Sequence, residues 1–336
     1  MEVIKRVLKR IVTDKGIYEI IVINNEKVFR KILKEDISKE INGYNLIKNN
    51  YRVPKMKKYN LDKREIIYEY IDNLENRTLH HGLFMNLEFS QKRIIDVLTN
   101  GFEKFEMLEE SKSSNSKFFY GRISLLEQYI SYGNEDYEKE IVVNNEVFPS
   151  FKKCVKTIIN TLEIDKVVPF VISQGDPTDL NISVEGEITD FEMAGKNSVI
   201  NEIAIFVGCY LVNCYYFYIK YMNSAHKKYL DTLDKYKDLI KCDFKKCKNR
   251  VLVVFNNILP TKNKEFIRAY LNRIKEIGII RWDFNIGCYI AMRMISPVNM
   301  NKVSDRGDKF LLIALADLFT FKYNTLEKVI HFVEVM

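Results

Sequence analysis

The segment QGDPTDLN (174–181), together with the following ITDFE (188–192), constrains the fold more than any other part of this 336-residue chain. It is preceded by VVPFVIS (167–173), an apolar run with β-branched residues that is typical of a buried strand. Such a strand would end just before the loop that contains Asp176. The pattern therefore predicts a buried strand, a polar loop and a short hairpin in succession.

The predicted hairpin turns at Glu185–Gly186, because glycine accepts the positive φ that a tight turn needs. With these two residues as the loop, Asn181 lies opposite Asp190. Directly opposed residues have Cβ atoms about 5 Å apart, and two oxygen-bearing side chains at that spacing can bind a hard cation. An aspartate, an asparagine five residues later and a second aspartate are the groups that phosphoryl transfer from a magnesium–nucleotide complex requires.

These residues resemble the catalytic loop and metal-binding hairpin of the aminoglycoside phosphotransferase and choline kinase-like family. Its usual pattern is HGDxxxxN, followed by a hydrophobic residue, Asp, Phe or Trp, and an acid. The resemblance implies a small-molecule kinase that uses ATP or GTP and Mg²⁺, with Asp176 as the catalytic base and Asn181 and Asp190 as magnesium ligands. The chain departs from the pattern at Gln174, where the family usually has a histidine that supports the loop. Glu192 after Asp-Phe is ordinary for the family.

The same resemblance implies an α+β, bilobal protein-kinase-like fold. A small antiparallel-sheet lobe that binds the nucleotide is expected over residues 1–72, with a hinge at about 68–72. A larger, mainly helical lobe is expected over 73–336, and it carries the catalytic loop (174–181), the metal hairpin (181–192) and late helices that select the substrate.

The amino-terminal 35 residues are predicted to form three strands. Apolar residues alternate or occur in short runs in the three segments VLKRIVTD, GIYEIIVI and EKVFRKIL. Turns at Lys15–Gly16 and Asn24–Asn25 separate these segments. A phosphate-cradling GxGxxG is absent because Gly16 stands alone. This absence argues against an ordinary protein kinase more than against a small-molecule phosphotransferase.

A cation for the nucleotide phosphates is expected on the third strand. Lys31 is the first choice and Arg30 the rival, since neighbouring strand residues point to opposite faces. The next segment, DISKEINGYNLIKNN, is predicted to be helical, with an apolar stripe that includes Ile41 and Tyr44. The resemblance implies that Glu40 on this helix pairs with the strand lysine. Surface lysines and glutamates are abundant here, so the alternative is that both face solvent.

REIIYEYIDN (64–73) is predicted to be the strand and hinge between the two lobes. The resemblance implies that the backbone of Glu69, Tyr70 and Ile71 binds the adenine edge. The alternative is an ordinary strand, because only its position favours the hinge.

The remainder is predicted to be mostly helical, over 88–110, 121–132, 147–163 and most of 200–336. Two irregular stretches interrupt it. SKSSNSK (111–117) is a polar loop by composition, and 134–149 is a second one.

Substrate selection in the family is mainly the work of the late helices. Trp282 and Asp283 are candidate substrate contacts because RWDF places the only tryptophan beside a carboxylate, and Glu192 is a third. Aromatic residues could enclose a trimethylammonium group, although such residues more often belong to a core. The acceptor stays open between an aminoglycoside, a sugar, a nucleoside and an amino alcohol.

Composition excludes several other classes of protein. The net charge of +7 comes from 52 basic and 45 acidic residues that are interleaved along the chain, and KCDFKKCKNR (241–250) is interpreted as a solvated helix face or loop, so no nucleic-acid partner is expected. The apolar segment 203–219 is short for a membrane span, and it is predicted to be a buried helix. Six scattered cysteines indicate reduced thiols and a cytoplasmic protein without a signal peptide.

The alternatives to a small-molecule kinase are an inactive kinase-fold scaffold and a protein kinase. The missing glycine loop and Gln174 favour a scaffold, whereas the intact Asp176, Asn181 and Asp190 oppose it. No APE-like segment follows Asp190, which opposes a protein kinase. The sequence does not distinguish a monomer from a dimer.

Overall fold

The computed structural model describes residues 4–13, 15–72, 74–85, 87–163, 166–211, 217, 220–221, 242–255, 259–281 and 284–335. The chain forms two compact units. The first contains residues 1–98, 172–175 and 179–195, and the second contains 99–171, 176–178 and 196–336. This division differs from the boundary expected at residue 72, because residues 73–98 and the whole predicted metal hairpin belong to the first unit.

The first unit contains a five-stranded antiparallel sheet in the order β1-β2-β3-β5-β4. Its strands are β1 (Ile4–Val12), β2 (Gly16–Ile23), β3 (Glu26–Leu33), β4 (Met56–Asn60) and β5 (Glu65–Glu69). Asn24 and Asn25 have φ of 50° and 68°, as a two-residue hairpin with both central residues left-handed requires. The three predicted strands, and the strand after residue 64, are therefore confirmed.

Helix α1 (Ser38–Ile47) follows the third strand, as its apolar stripe predicted. Ile41, Tyr44 and Ile47 are buried. They pack in one core with residues of β5 and of the DFE segment (190–192). Leu46 is 43% exposed and is not part of this stripe. Two further α-helices are described in the first unit, α2 (Leu79–Phe84) and α3 (Gln91–Leu98).

The second unit is mainly helical. Its described helices are α4 (Ile123–Ser131), α5 (Phe151–Glu163), α6 (Val199–Leu211), α7 (Thr261–Ile277), α8 (Gly287–Ile295), α9 (Arg306–Asp317) and α10 (Leu326–Val335). Every residue of α6 is buried, so the interpretation of this apolar segment as a core helix is confirmed as far as Leu211. Among the described residues, no helix has the length and apolar character to cross a membrane.

In the described part of the chain seven strands lie outside the first sheet, and most of them correct the sequence prediction. They are β6 (Glu106–Glu109), β7 (Glu140–Val143), β8 (Glu146–Ser150), β9 (Val167–Ser173), β10 (Gly195–Ser198), β11 (Cys242–Lys246) and β12 (Arg250–Phe255). They form a β10-β9-β6 sheet and a β11-β12-β7-β8 sheet. The strand β9 confirms the buried run before the catalytic loop. Strands at 106–109, 242–246 and 250–255 stand where helices or loops were predicted. The hairpin of β7 and β8 replaces most of the irregular stretch predicted over 134–149 and the start of the helix predicted over 147–163.

The polar segment 111–117 is anchored by hydrogen bonds within the second unit. The Asn115 N–H donates to Asn197 Oδ1 at 2.9 Å, and the Ser198 N–H donates to Ser113 Oγ at 2.9 Å. Asn201 Nδ2 donates to Asn115 Oδ1 at 3.1 Å. Ser113 and Asn115 are consequently buried, so this loop packs against the start of α6 despite its polar composition.

Candidate active site

A buried glutamate joins three elements of the first unit. Glu40 Oε1 accepts hydrogen bonds from Lys31 Nζ at 2.6 Å and from Tyr68 Oη at 2.9 Å. Its other oxygen, Oε2, accepts from the Phe191 N–H at 3.3 Å. Glu40 is 3% exposed, so it holds β3, β5 and the DFE segment together through one carboxylate. The expected pairing of Lys31 with Glu40 is present in the structure.

Lys31 and Arg30 lie on opposite faces of β3, and their partners separate their roles. Arg30 Nε donates to Glu19 at 2.8 Å, and Arg30 Nη1 lies 3.4 Å from Glu65, so this guanidinium is held by two strand carboxylates. Burial alone would lower the pKa of Lys31, but the carboxylates of Glu40 and Asp190 outweigh it and raise that pKa above its ordinary value. The cation that shares its surroundings with Asp190 is therefore Lys31.

Asp190 has an unusual backbone conformation. Its φ is 62°, in the left-handed region that residues other than glycine adopt uncommonly. Gln174, which is 5% exposed, donates from Nε2 to the Asp190 carbonyl at 2.7 Å and to the Thr189 carbonyl at 3.3 Å. Glutamine thus supports this segment from the position where the family usually has histidine. A strained residue held by its surroundings is typical of functional sites.

The hairpin that carries Asn181 and Asp190 has a different register from the predicted one. Ile182 pairs with Ile188, and the Thr189 N–H donates to the Asn181 carbonyl at 2.9 Å. The loop therefore has three residues, 184–186, and Asn181 lies opposite Thr189. The reason is local, because Ser183 Oγ accepts from the N–H groups of residues 185 and 187 and Gly186 takes up a φ of 83° at the third loop position.

The loop before Asn181 is anchored to the start of α2 within the first unit. His80 Nδ1 lies 2.8 Å from Asp179 Oδ2, and the His80 N–H donates to the Asp179 carbonyl at 3.1 Å. The His80 side chain is 0% exposed and that of Asp179 is 1% exposed. Burial raises the pKa of Asp179, and the contact with His80 opposes that rise. The Leu79 N–H also donates to the Ile182 carbonyl at 2.7 Å. Sequence reasoning missed this pair because the two residues are 99 positions apart.

Lys15, in the loop between β1 and β2, is a second missed residue. Its Nζ lies 3.5 Å from Glu192 Oε2. Burial would lower the pKa of Lys15, but Asp190 and Glu192 act against it and raise that pKa. A lysine at the tip of the first hairpin thus lies beside the DFE segment. The isolated Lys15–Gly16 dipeptide was the available signal.

The expected adenine-binding residues lie at the end of β5. The ladder between β3 and β5 ends at the Val28–Glu69 pair, so Tyr70 and Ile71 follow the paired strand. Glu69 Oε1 accepts from the Lys55 N–H at 2.8 Å. This placement is compatible with a hinge backbone, and the adenine contact stays a prediction.

Asp176 belongs to the second unit, where its nearby cation is Arg293 of α8. Arg293 Nη2 lies 3.8 Å from Asp176 Oδ1. The Asp176 side chain is 21% exposed, whereas that of Arg293 is 5% exposed. Nothing in the local sequence pointed to Arg293, which is 117 residues away. The candidate substrate contacts Trp282 and Asp283 lie outside the described residues.

The oxygen donors of the first unit suit a hard cation. Asn181 and Asp190 are partly exposed, whereas the supporting Gln174 and Asp179 are buried. Across the described part of the chain, no cluster of three or more His, Cys, Asp or Glu side chains forms a metal site. Mg²⁺ is commonly bound by one or two protein oxygens together with substrate phosphates and water, so an amide and a carboxylate fit that ion.

No protein-family model and no curated protein matches the chain. Solved structures do resemble it. Choline kinase LicA from Streptococcus pneumoniae is 11% identical, with 95% of each chain covered and a TM-score of 0.43. A microcompartment-associated aminopropanol kinase is 7% identical, with 94% and 90% covered and a TM-score of 0.42. Spectinomycin phosphotransferase, in complex with ADP and spectinomycin, is 10% identical, with 98% and 93% covered and a TM-score of 0.40. These likenesses are coarse and concern the fold alone.

Proposed function

We propose that this chain is a small-molecule kinase that transfers the γ-phosphate of ATP or GTP to a hydroxyl group. The observation that carries the proposal is the Glu40 junction. One buried carboxylate connects the strand lysine, Lys31, with the backbone next to Asp190. This arrangement supports the proposal, because a nucleoside triphosphate and its metal ion need a cation and a carboxylate close to each other.

Each residue has a defined role in the proposed reaction. Asp176 accepts the proton of the acceptor hydroxyl while the oxygen of that hydroxyl attacks the γ-phosphorus. The new P–O bond forms while the bond from that phosphorus to the β–γ bridging oxygen breaks, and the nucleoside diphosphate leaves. Lys31 binds the α and β phosphates, and the backbone of residues 69–71 binds the adenine or guanine edge. Most of the acceleration comes from positioning.

Asn181 and Asp190 would hold Mg²⁺, which neutralises negative charge on the β and γ phosphates when it is bound. The left-handed conformation of Asp190 and the hydrogen bond from Gln174 to its carbonyl support this role, because they constrain the backbone that carries the carboxylate. Lys15 and Glu192 lie beside this position and add one charge of each sign.

The test is a transfer assay with ATP and GTP, with and without Mg²⁺. The acceptors would be choline, an aminopropanol, spectinomycin, other aminoglycosides, sugars and nucleosides. Formation of ADP or GDP that requires Mg²⁺ and is stimulated by one acceptor supports the proposal and identifies the acceptor class. Asp176→Asn is the matched control, since it keeps the shape of the side chain and removes the base. It should lose turnover by at least about a hundredfold and keep its nucleotide affinity.

Transfer at an undiminished rate in Asp176→Asn would show that the base is misassigned. Failure of the wild-type chain to bind either nucleotide would refute the kinase itself.

A further inference from the structure

One carboxylate oxygen of Asp176 is buried, although the side chain is partly accessible. Its Oδ1 is buried, although the side chain as a whole is 21% exposed. The accessible surface of the side chain therefore lies on its other atoms. The buried oxygen is the one that lies 3.8 Å from Arg293 Nη2.

Arg293 is itself held firmly within the second unit. It is 4% exposed, and its guanidinium carbon lies 4.9 Å from the centre of the Phe118 ring, in a cation–π contact. Its stem packs on Gly208 of α6, where a Cβ atom would come within 3.0 Å of Arg293 Cγ and 3.2 Å of Arg293 Cβ. A glycine in the middle of a helix lowers helix stability, so its presence in α6 is explained by the room that Arg293 needs.

We infer that Arg293 is a positioning residue for Asp176, an inference that rests on the proposed role of Asp176 as the base. The guanidinium holds the buried Oδ1, and Oδ2 is the oxygen left to accept the proton of the acceptor hydroxyl. Arginine keeps its proton at all relevant pH values. The positive charge beside the base is therefore permanent and favours the ionised carboxylate, the form that accepts a proton.

A purely structural ion pair would have a different signature. Removing one member of a buried pair leaves an uncompensated charge and destabilises the fold. Such a loss of stability would impair turnover and nucleotide binding together. A positioning role lowers kcat and leaves the KM for the nucleotide nearly unchanged. It also predicts that an external guanidinium ion restores part of the lost activity.

The first experiment compares Arg293→Ala and Arg293→Lys with Arg122→Met. Arg122 is a suitable control because it donates to the Ser296 carbonyl at 3.4 Å, close to the end of α8, and is not part of the proposed site. We expect kcat to fall at least about tenfold in Arg293→Ala, to fall less in Arg293→Lys, and to stay near wild type in Arg122→Met. Added guanidinium chloride at millimolar concentration should raise the kcat of Arg293→Ala and leave that of the wild type unchanged.

The second experiment uses Gly208→Ala, which leaves the arginine in the sequence and disturbs only its place. Alanine is the better helix former, yet the new methyl group must push the Arg293 stem by a few tenths of an ångström. We expect kcat to fall several-fold while the thermal unfolding midpoint is unchanged or higher. A structural role alone would not separate these two quantities.

The two proposals fail in different ways. A wild-type chain that binds nucleotide but transfers to no acceptor would refute the kinase, and with it any role of Arg293 in catalysis. A working kinase whose Arg293→Ala variant keeps its kcat, or loses it without guanidinium rescue and together with its unfolding midpoint, would overturn the positioning role and leave the kinase intact.

Discussion

Gly43 of α1 tests the geometry of the Glu40 junction without touching its charges. It lies three residues after Glu40, and therefore on the same face of the helix. A Cβ atom at this position would lie 2.1 Å from the Phe191 carbonyl oxygen and 3.0 Å from Ala194 Cβ. The helix can thus approach the DFE segment closely only because residue 43 has no side chain. Gly43→Ala should separate the two.

Two opposing contributions determine the size of the effect. Alanine in a helix interior is favoured over glycine by about 1 kcal/mol. Overpacking costs about 1–3 kcal/mol and occasionally more. Here the obstacle is a backbone oxygen, which cannot rotate away. A Cβ atom essentially never comes closer than 3.0 Å to another heavy atom, so the Phe191 oxygen at 2.1 Å has to move by about 0.9 Å. We therefore expect a steric cost at the upper end of that range, about 3 kcal/mol, which leaves a net loss of about 2 kcal/mol in the free energy of unfolding. The 3.3 Å hydrogen bond from Phe191 to Glu40 should also break.

Equilibrium unfolding in urea measures the loss of stability, and calorimetric titration with Mg²⁺–nucleotide measures the loss of binding. Gly133→Ala is the matched control, because no atom lies within 4 Å of the added Cβ, and its change should stay within about 0.5 kcal/mol. A Gly43→Ala protein as stable as the wild type, or more stable, would show that helix preference outweighs this contact and would refute the reasoning.

Three further predictions concern separate residues. Lys31→Ala should raise the nucleotide KM far more than Arg30→Ala does, because of the two only Lys31 donates a hydrogen bond to Glu40. Equal effects in steady-state kinetics would contradict this. His80→Ala should lower the free energy of unfolding by about 1–3 kcal/mol, and His80→Asn, which restores a donor near the Nδ1 position, should recover much of it; a variant pair with equal urea midpoints would oppose this anchor. Burial raises the pKa of Asp317, at the end of α9, well above its ordinary value, so folding favours the neutral carboxyl over the charged one. The stability of the wild type relative to Asp317→Asn should therefore decline as the pH rises above about 4, and a pH-independent difference in urea unfolding would count against it.

The amino-terminal sheet was predictable because its signals are local. The Asn24–Asn25 turn and the apolar strands beside it lie within one short stretch, and the structure confirms both. The second Asn-Asn pair, at 144–145, forms the same left-handed turn with φ of 47° and 73°. Its hairpin was predicted as irregular because the flanking strands are short and carry fewer apolar residues.

The candidate site was predictable in its residue types and less so in its geometry. The pairing of Lys31 with Glu40 followed from the resemblance, and the structure shows it. The register of the metal hairpin did not follow, because Ser183 accepts two backbone N–H groups and moves the turn by one position. Arg293 left no signal in the sequence, since its contact with Asp176 depends on how α8 packs within the second unit.

The most direct test of the central claim is a calorimetric titration of ATP and GTP, with and without Mg²⁺, into the wild type and into Asp190→Ala. We predict that the wild type binds one or both nucleotides much more tightly with Mg²⁺, and that this gain disappears in Asp190→Ala. Asn181→Ala should reduce the gain, because Asn181 shares the metal. Binding that is indifferent to Mg²⁺, or that persists unchanged in Asp190→Ala, would contradict the assignment of this hairpin as the metal site.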